Sequence, residues 1–284
     1  MGTFNQRRET KNEGNYYQCL GAAAATRRRA DDRVEHESRA VAEQDETSDL
    51  AYVVNALGQR VGVPLPDWTP PPRPPRTAME GRTCRLEPLD LERHADELFA
   101  ANALDEDGRG WTYLPYGPFA DREGYLRWMR ATCTGDDPLF HAIVDRASGR
   151  AVGVASFLRI DPAAGSIEVG HLRFSPLLQR SVASTEAMYL MMKRAFELGY
   201  RRYEWKCDAL NAPSRAAASR LGFAFEGVFR QAVVIKQRNR DTAWYSILDS
   251  EWPRLDAAFR RWLDPANFAA DGAQRERLSD LTAR

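Results

Sequence analysis

Two segments of this chain carry residue types at spacings suited to gripping a phosphorylated cofactor: residues 178–187 (LQRSVASTEA) and 211–223 (NAPSRAAASRLGF). The first lies between an apolar, strand-like run and an amphipathic helix. The second opens another helix about one supersecondary unit later. A helix N-terminus presents N–H groups without intrahelical partners and a partial positive charge, which together form a seat for phosphate. The turn at Val182, Ala183 and Ser184 is such a seat, with Arg180 beside it for a charge-assisted contact. An ordinary helix capped by Ser181, whose Met188, Leu190, Met191 and Ala195 face the core, accounts for the same residues without a ligand. Asn211 likewise reads as an N-cap, and Ser214 as a first-turn hydroxyl bonded to its own backbone.

The elements placed to hold these segments alternate along the chain. Residues 82–88 read as a strand and 90–104 as a helix, with Asp90 as N-cap and Leu91, Ala95, Leu98, Phe99 and Asn102 at three-four spacing. An aromatic loop containing Trp111, Tyr113 and Tyr116 precedes a second helix at 122–132. Strands follow at 139–145, 152–160 and 166–174 as a meander, with turn signals at Ala147-Ser148-Gly149 and Asp161-Pro162. Next come a helix at 183–198, a strand at 202–207 and a helix at 212–221, the helices closed by Gly199 and Gly222 as left-handed caps. Residues 223–235 and 242–248 form a last hairpin across 236–240. This order implies an α/β fold with a sheet of mixed direction and helices on both faces, and such a sheet binds ligands where its strands part.

Composition sets the limits. Residues 1–50 are rich in charge and alanine and read as a disordered tail. Residues 51–80 read as a proline-rich extended linker, because PLPDWTPPPRPPR at 64–76 cannot be helical. That stretch is either a ligand for a proline-binding module or a stiff connector along the domain surface. The folded domain is expected at 81–252, with a C-terminal helical extension at 253–284. Gly21 to Ala25 is too short for a secretory signal, Gln6 stands where a myristoylation signal needs Ser or Thr, and no run approaches the roughly 20 apolar residues of a membrane span. A cytoplasmic protein is expected. Cys19, Cys84, Cys133 and Cys207 are scattered, and His36, His94, His141 and His171 lack metal-ligand spacing, so no metal is expected. With 40 basic against 40 acidic residues, neither nucleic acid nor an anionic membrane is an expected partner.

The order of elements, LQRSVASTEA, KCDALNAPSRAAASRLGFAFEG and Asp241-Thr242-Ala243-Trp244-Tyr245 resemble the GNAT superfamily of acyl-CoA-dependent N-acetyltransferases, nearest its RimJ/RimL-like branch, over residues 82–252. The resemblance implies the GNAT fold, a central, largely antiparallel twisted sheet flanked by helices, and acetyl-CoA as acyl donor with no metal. It assigns the pyrophosphate to Gln179, Arg180, Ser181, Val182, Ala183 and Ser184, the pantetheine arm to Asn211, and the thioester to Ser214 and the backbone of Leu172, Arg173 and Phe174. The family's loop usually carries two glycines where Arg180 and Val182 stand here, and its frequent catalytic Tyr is replaced by Ala218.

Acetyl transfer needs a deprotonated amine, an aligned thioester, donors for the developing oxyanion and a proton for the leaving thiolate. Ser214 is the candidate acid. The base expected after the Glu226-Gly227 turn is missing, leaving Glu168, then Asp208 and His171; Glu168 is equally an ion-pair partner, Asp208 a loop cap and His171 a satisfied half-buried imidazole. A peptide α-amine with pKa about 8 needs less help than a lysine amine at about 10.4, so water alone suffices for it. Acceptor contacts fall to Trp111, Tyr113, Tyr116, His171, Asp241 and Tyr245, aromatic faces with a carboxylate that suit a cationic amine. Core packing is the competing role for Trp111, and a salt bridge to Arg238 or Arg240 that for Asp241. The reading is an N-acetyltransferase, monomer or homodimer, acting on a protein N-terminus or a small-molecule amine; a GNAT-fold module that binds acyl-CoA without turnover is the alternative.

Overall fold

The computed structural model describes residues 50–284, which form two compact units parted between Pro64 and Leu65. The expectation for residues 1–50 thus lies outside the described residues, save for the last of them. In the first unit β1 (Tyr52–Val54) and β2 (Arg60–Gly62) pair as an antiparallel hairpin, with the Asn55 side chain accepting from the amides of Leu57 and Gln59. The expected extended linker at 51–80 therefore begins with a hairpin. Its remainder belongs to the second unit: Trp68 donates to the Ala163 carbonyl at 3.3 Å, Arg73 to the Ile160 carbonyl at 3.3 Å, and Arg76 to Asp136 at 2.8 Å. The proline stretch is a strap bound along the domain surface.

The second unit is built on an eight-stranded sheet. In chain order its elements are β3 (Met79–Glu80), β4 (Cys84–Pro88), α1 (Leu91–Ala103), α2 (Arg122–Thr132), β5 (Leu139–Asp145), β6 (Ala151–Asp161), β7 (Ser166–Phe174), α3 (Val182–Glu197), β8 (Arg202–Asp208), α4 (Ala212–Arg220), β9 (Ala224–Ile235), β10 (Arg238–Leu248), α5 (Trp252–Leu263) and α6 (Leu278–Thr282). The spatial order is β3-β4-β5-β6-β7-β8-β10-β9, antiparallel throughout except for the β7–β8 pair. The sheet is thus of mixed direction and largely antiparallel. Among the described residues no helix is long and apolar enough to cross a membrane.

Two cores sandwich this sheet. One packs α3, α5 and α6 against Leu139, Phe157, Ile167, Tyr203 and Ile247, and the other packs α1 and α2 against Phe140, Ala142 and Val154. β8 shows why the sequence folds this way: Tyr203, Trp205 and Cys207 point inward while Arg202, Glu204 and Lys206 alternate outward. α3 is buried on nearly every side, which explains its run of Ala and Met without a polar stripe. Residues 253–284, expected as a helical extension, carry most of α5 and all of α6, and their Leu255, Phe259 and Leu278 are fully buried in the α3-side core. The hairpin turn is also tighter than the expected 236–240 loop: Lys236 and Gln237 take φ of 49° and 60°, and β10 resumes at Arg238. Paired left-handed residues match the twist of the strands they join.

The feature that positions the site is a parting of strands. β7 and β8 pair only from Ser166↔Arg202 to Val169↔Trp205. Beyond that point Gly170 to Phe174 stay with β6, and Lys206 to Asp208 stay with β10. At the parting β7 bulges: Arg173 opposes Val154 and Gly170 opposes Ser156, so His171 and Leu172 share one partner position, with His171 at a φ of 51°. Bulges of this kind re-aim a side chain and recur beside active sites.

Candidate active site

Both helix N-termini of interest lie where β7 and β8 part, because α3 follows the end of β7 and α4 follows the end of β8. At α3, Ser181 caps the helix by accepting from the Ser184 amide at 3.1 Å and donating to the Leu178 carbonyl at 2.6 Å. No helix carbonyl can reach the amides of Val182 and Ala183, so they are left over. Arg180 has a φ of 57°, the left-handed conformation that glycine would adopt freely, and its side chain is exposed. Gln179 donates to the Phe174 carbonyl at 2.9 Å, binding this turn to the end of β7. At α4, Asn211 accepts from the Ser214 amide at 3.2 Å, the cap read from the sequence, and the Ser214 hydroxyl accepts from the Trp205 indole at 3.1 Å. Ser214 therefore touches β8, not its own backbone carbonyl.

The other side of the opening is closed by the 104–121 loop. Tyr113 donates to the Leu210 carbonyl at 3.1 Å, while Lys236 and Arg238 from the hairpin tip donate to the carbonyls of Trp111 and Thr112 at 2.9 and 3.1 Å. Tyr116 stacks on His171 with ring centroids 5.7 Å apart, and its hydroxyl lies 3.0 Å from His171 Nδ1. Burial, with Arg159 nearby, pushes the His171 pKa down to about 4, and burial raises that of the Tyr116 phenol well above its ordinary value. Trp111 is a core residue, 4% exposed, under the Arg173 guanidinium at 4.4 Å. The Arg173 side chain is itself buried on Asp105 at 2.9 Å and on the Phe174 carbonyl at 2.9 Å. Of that residue, only the backbone is available to a cofactor.

The remaining candidates are dispersed. Glu168 is buried and accepts from Arg159 at 2.8 Å, while Lys206 lies 2.9 Å away, also bonded to Glu204 and set over the Trp244 ring at 3.7 Å. Burial raises the Glu168 pKa against the pull of those two cations, yet the arrangement is that of an ion-pair hub. Asp208 accepts from the Leu210 amide at 2.9 Å as a loop cap. Asp241 accepts from the Gln231 amide at 2.6 Å and from Asn239 at 3.1 Å, which hold its pKa below the ordinary range; the ion pair with Arg238 or Arg240 that was the alternative to acceptor binding is not formed. Tyr245 is 2% exposed, its hydroxyl accepting from Arg215 at 3.1 Å, so the substrate-facing position expected for it is corrected to a core position. Sequence reasoning missed Lys206, Arg159 and Lys236, and named Arg238 only as a partner for Asp241. The alternation Arg202-Glu204-Lys206 was a visible signal for the first, whereas the others depend on long-range contacts. Among the described residues no cluster is composed to hold a metal ion.

A family model described as an acetyltransferase (GNAT) domain matches residues 84–224. Among solved structures, a GCN5-related N-acetyltransferase from Brucella melitensis is 49% identical, with a TM-score of 0.76, over 78% of this chain and 100% of its own. A probable acetyltransferase of the GNAT family from Chromobacterium violaceum is 44% identical, with a TM-score of 0.64, over 68% of this chain and 96% of its own. At 20% identity and a TM-score of 0.51, the ribosomal L7/L12 alpha-N-protein acetyltransferase RimL, solved with coenzyme A, shares the fold over 59% of this chain and 95% of its own. No curated protein matches the chain.

Proposed function

This chain belongs to the GNAT acetyltransferase family, and on that premise we propose that it moves an acetyl group from acetyl-CoA directly to a primary amine. The observation that carries the reading is the opening between β7 and β8 beyond Val169 and Trp205, with the first turns of α3 and α4 at its mouth. The Val182 and Ala183 amides and the Arg180 guanidinium serve the pyrophosphate, and Asn211 the pantetheine arm. The backbone from Leu172 to Phe174 aligns the thioester and supplies one donor to its oxygen. Ser214, with its oxygen on the Trp205 indole, gives a proton to the leaving thiolate. Arg180 meets the backbone demand of the glycine it replaces, which supports a working phosphate turn.

The acceptor in this reading is a protein N-terminus, in the manner of the RimJ/RimL-like branch, with a small-molecule amine next. Tyr113 and Tyr116 flank it and Asp241 offers a carboxylate. The roles anticipated for Trp111 and Tyr245 pass to these residues. Water takes the amine proton, because Glu168 is held between two cations and Asp208 caps its own loop. Thiol release from acetyl-CoA across a panel of N-terminal peptides and small amines tests the reading. Saturation at about 100 times the dissociation constant adds about 2.7 kcal/mol of apparent stability. Stabilisation without thiol release identifies a binding module instead, and no thermal shift with coenzyme A sinks both readings.

A further inference from the structure

We infer that His171 takes part in the transfer as a neutral hydrogen-bond donor, its Nε2–H serving the thioester oxygen, with Tyr116 as the positioning residue that holds this tautomer. This rests on the transferase reading of the same opening. His171 sits at the β7 bulge where β7 leaves β8, in a left-handed conformation that a non-glycine residue adopts only under constraint from its surroundings. Its ring is fixed between Tyr116, stacked at 5.7 Å, and Phe140 at 5.1 Å.

The tautomer follows from the hydrogen bonding. The Tyr116 hydroxyl has one polar partner among the described residues, His171 Nδ1 at 3.0 Å. That phenol is protonated, and with Nδ1 as its one partner the arrangement that leaves no half-buried O–H unsatisfied has the O–H donating and Nδ1 accepting. A neutral imidazole that accepts at Nδ1 carries its hydrogen on Nε2. Among the described residues that atom has no hydrogen-bond partner, and it is not sealed from solvent. His171 was a candidate base in the sequence, and this arrangement makes its outward nitrogen the opposite. In the reaction the amine nitrogen bonds to the thioester carbon and the C=O π pair moves to oxygen, where Nε2–H donates without surrendering its proton. Collapse re-forms the carbonyl and breaks C–S; the amine's proton leaves to water, and the thiolate gains one to become the free thiol.

Nitrogen-15 spectra of histidine-labelled protein at pH 7.5, assigned with His171→Gln, give the first test: Nε2 of the pyrrole type and Nδ1 of the pyridine type are expected. Kinetics with the best amine of the panel give the second. His171→Phe removes a donor and lowers kcat about 10²-fold with KM for acetyl-CoA unchanged. His171→Gln keeps a neutral N–H and stays within about tenfold of wild type, which a lost base would not allow. Tyr116→Phe reduces the Nε2–H population and lowers kcat. Coenzyme A stabilisation of each variant checks that the bulge folds. Failure of the wild type to release thiol with any amine refutes the transferase reading and this role with it. Normal wild-type turnover with an Nδ1–H tautomer, or with His171→Gln as slow as His171→Phe, overturns this inference alone.

Discussion

His141 offers a stability experiment whose size follows from its surroundings. It lies on β5, 1% exposed, edge-on to Phe157 at 5.8 Å, and neither ring nitrogen has a hydrogen-bond partner among the described residues. Burial first, then Arg194 and to a lesser degree Arg76, push its pKa from 6.5 down to about 4 against the opposing pull of the Leu139 backbone. The unfolded chain therefore binds a proton below about pH 6.5 that the folded chain refuses until about pH 4, so stability is full above this window and falls as the pH descends through it. At about 1.4 kcal/mol per pH unit, His141 alone withdraws about 2 kcal/mol by pH 5 and about 3 kcal/mol by pH 4. His141→Leu replaces two unsatisfied nitrogens with a side chain of similar volume. It is expected to add about 1–2 kcal/mol at pH 7.5, and the gap to wild type should widen by about 2 kcal/mol at pH 5. His171 and His94, whose pKa values burial also lowers, are present in both proteins and cancel in the difference. Urea unfolding followed by tryptophan fluorescence between pH 7.5 and 5 measures it. Parallel pH curves for the two proteins would refute the reasoning.

Three further outcomes follow from specific contacts. Glu186 accepts from the amides of Arg82, Thr83 and Cys84 at 2.8, 2.6 and 3.1 Å, so Glu186→Ala strands those donors and should cost about 3 kcal/mol in urea unfolding. Arg173→Ala leaves the nearly buried Asp105 carboxylate without its cation and should cost about 3–5 kcal/mol, against little change for exposed Arg109→Ala. Deleting residues 1–64 should leave the melting temperature of the second unit within about 1 °C, whereas deleting 1–80 removes β3 and the strap and should lower it by about 4 °C or more.

Local signals were enough to read most of the fold. The helix at 122–132 and the strands at 139–145 and 166–174 coincide with α2, β5 and β7, because caps and periodicity act within a few residues. Gly199 and Gly222 close α3 and α4 at φ of 95° and 91° for the same reason. The last hairpin was legible, but its tight turn at Lys236-Gln237 was not, because a two-residue turn of this kind normally announces itself with Asn or Gly. The C-terminal helices were expected, but not their place in the α3-side core, because an amphipathic helix does not say which core it will complete. In the site, Ser181 and Asn211 were legible as caps, but the bulge at His171 is a matter of register between strands, and register is invisible along one strand. Arg173 belongs to Asp105, 68 positions away, and no local pattern points there.

Conformational strain is distributed in a way that bears on function. Among the described residues six non-glycine positions have φ in the left-handed region: Arg159, His171, Arg180, Gln231, Lys236 and Gln237. At about 1 kcal/mol each they cost about 6 kcal/mol, comparable to the whole net stability of a typical domain. Such positions persist only where the rest of the structure over-determines them. Three of them, His171, Arg180 and Lys236, lie at the opening between β7 and β8 or against the loop that closes it. Arg159 holds Glu168, His171 turns at the parting of β7 and β8, Arg180 opens α3, Gln231 ties Asp241, and Lys236 with Gln237 forms the tip that reaches the Trp111 loop. A chain selected for stability alone would place glycine or asparagine at such turns. At His171, Arg180 and Lys236 the side chains retained are an imidazole and two cations, which is the chemistry the proposed transfer calls for beside an anionic donor and a developing acyl oxygen.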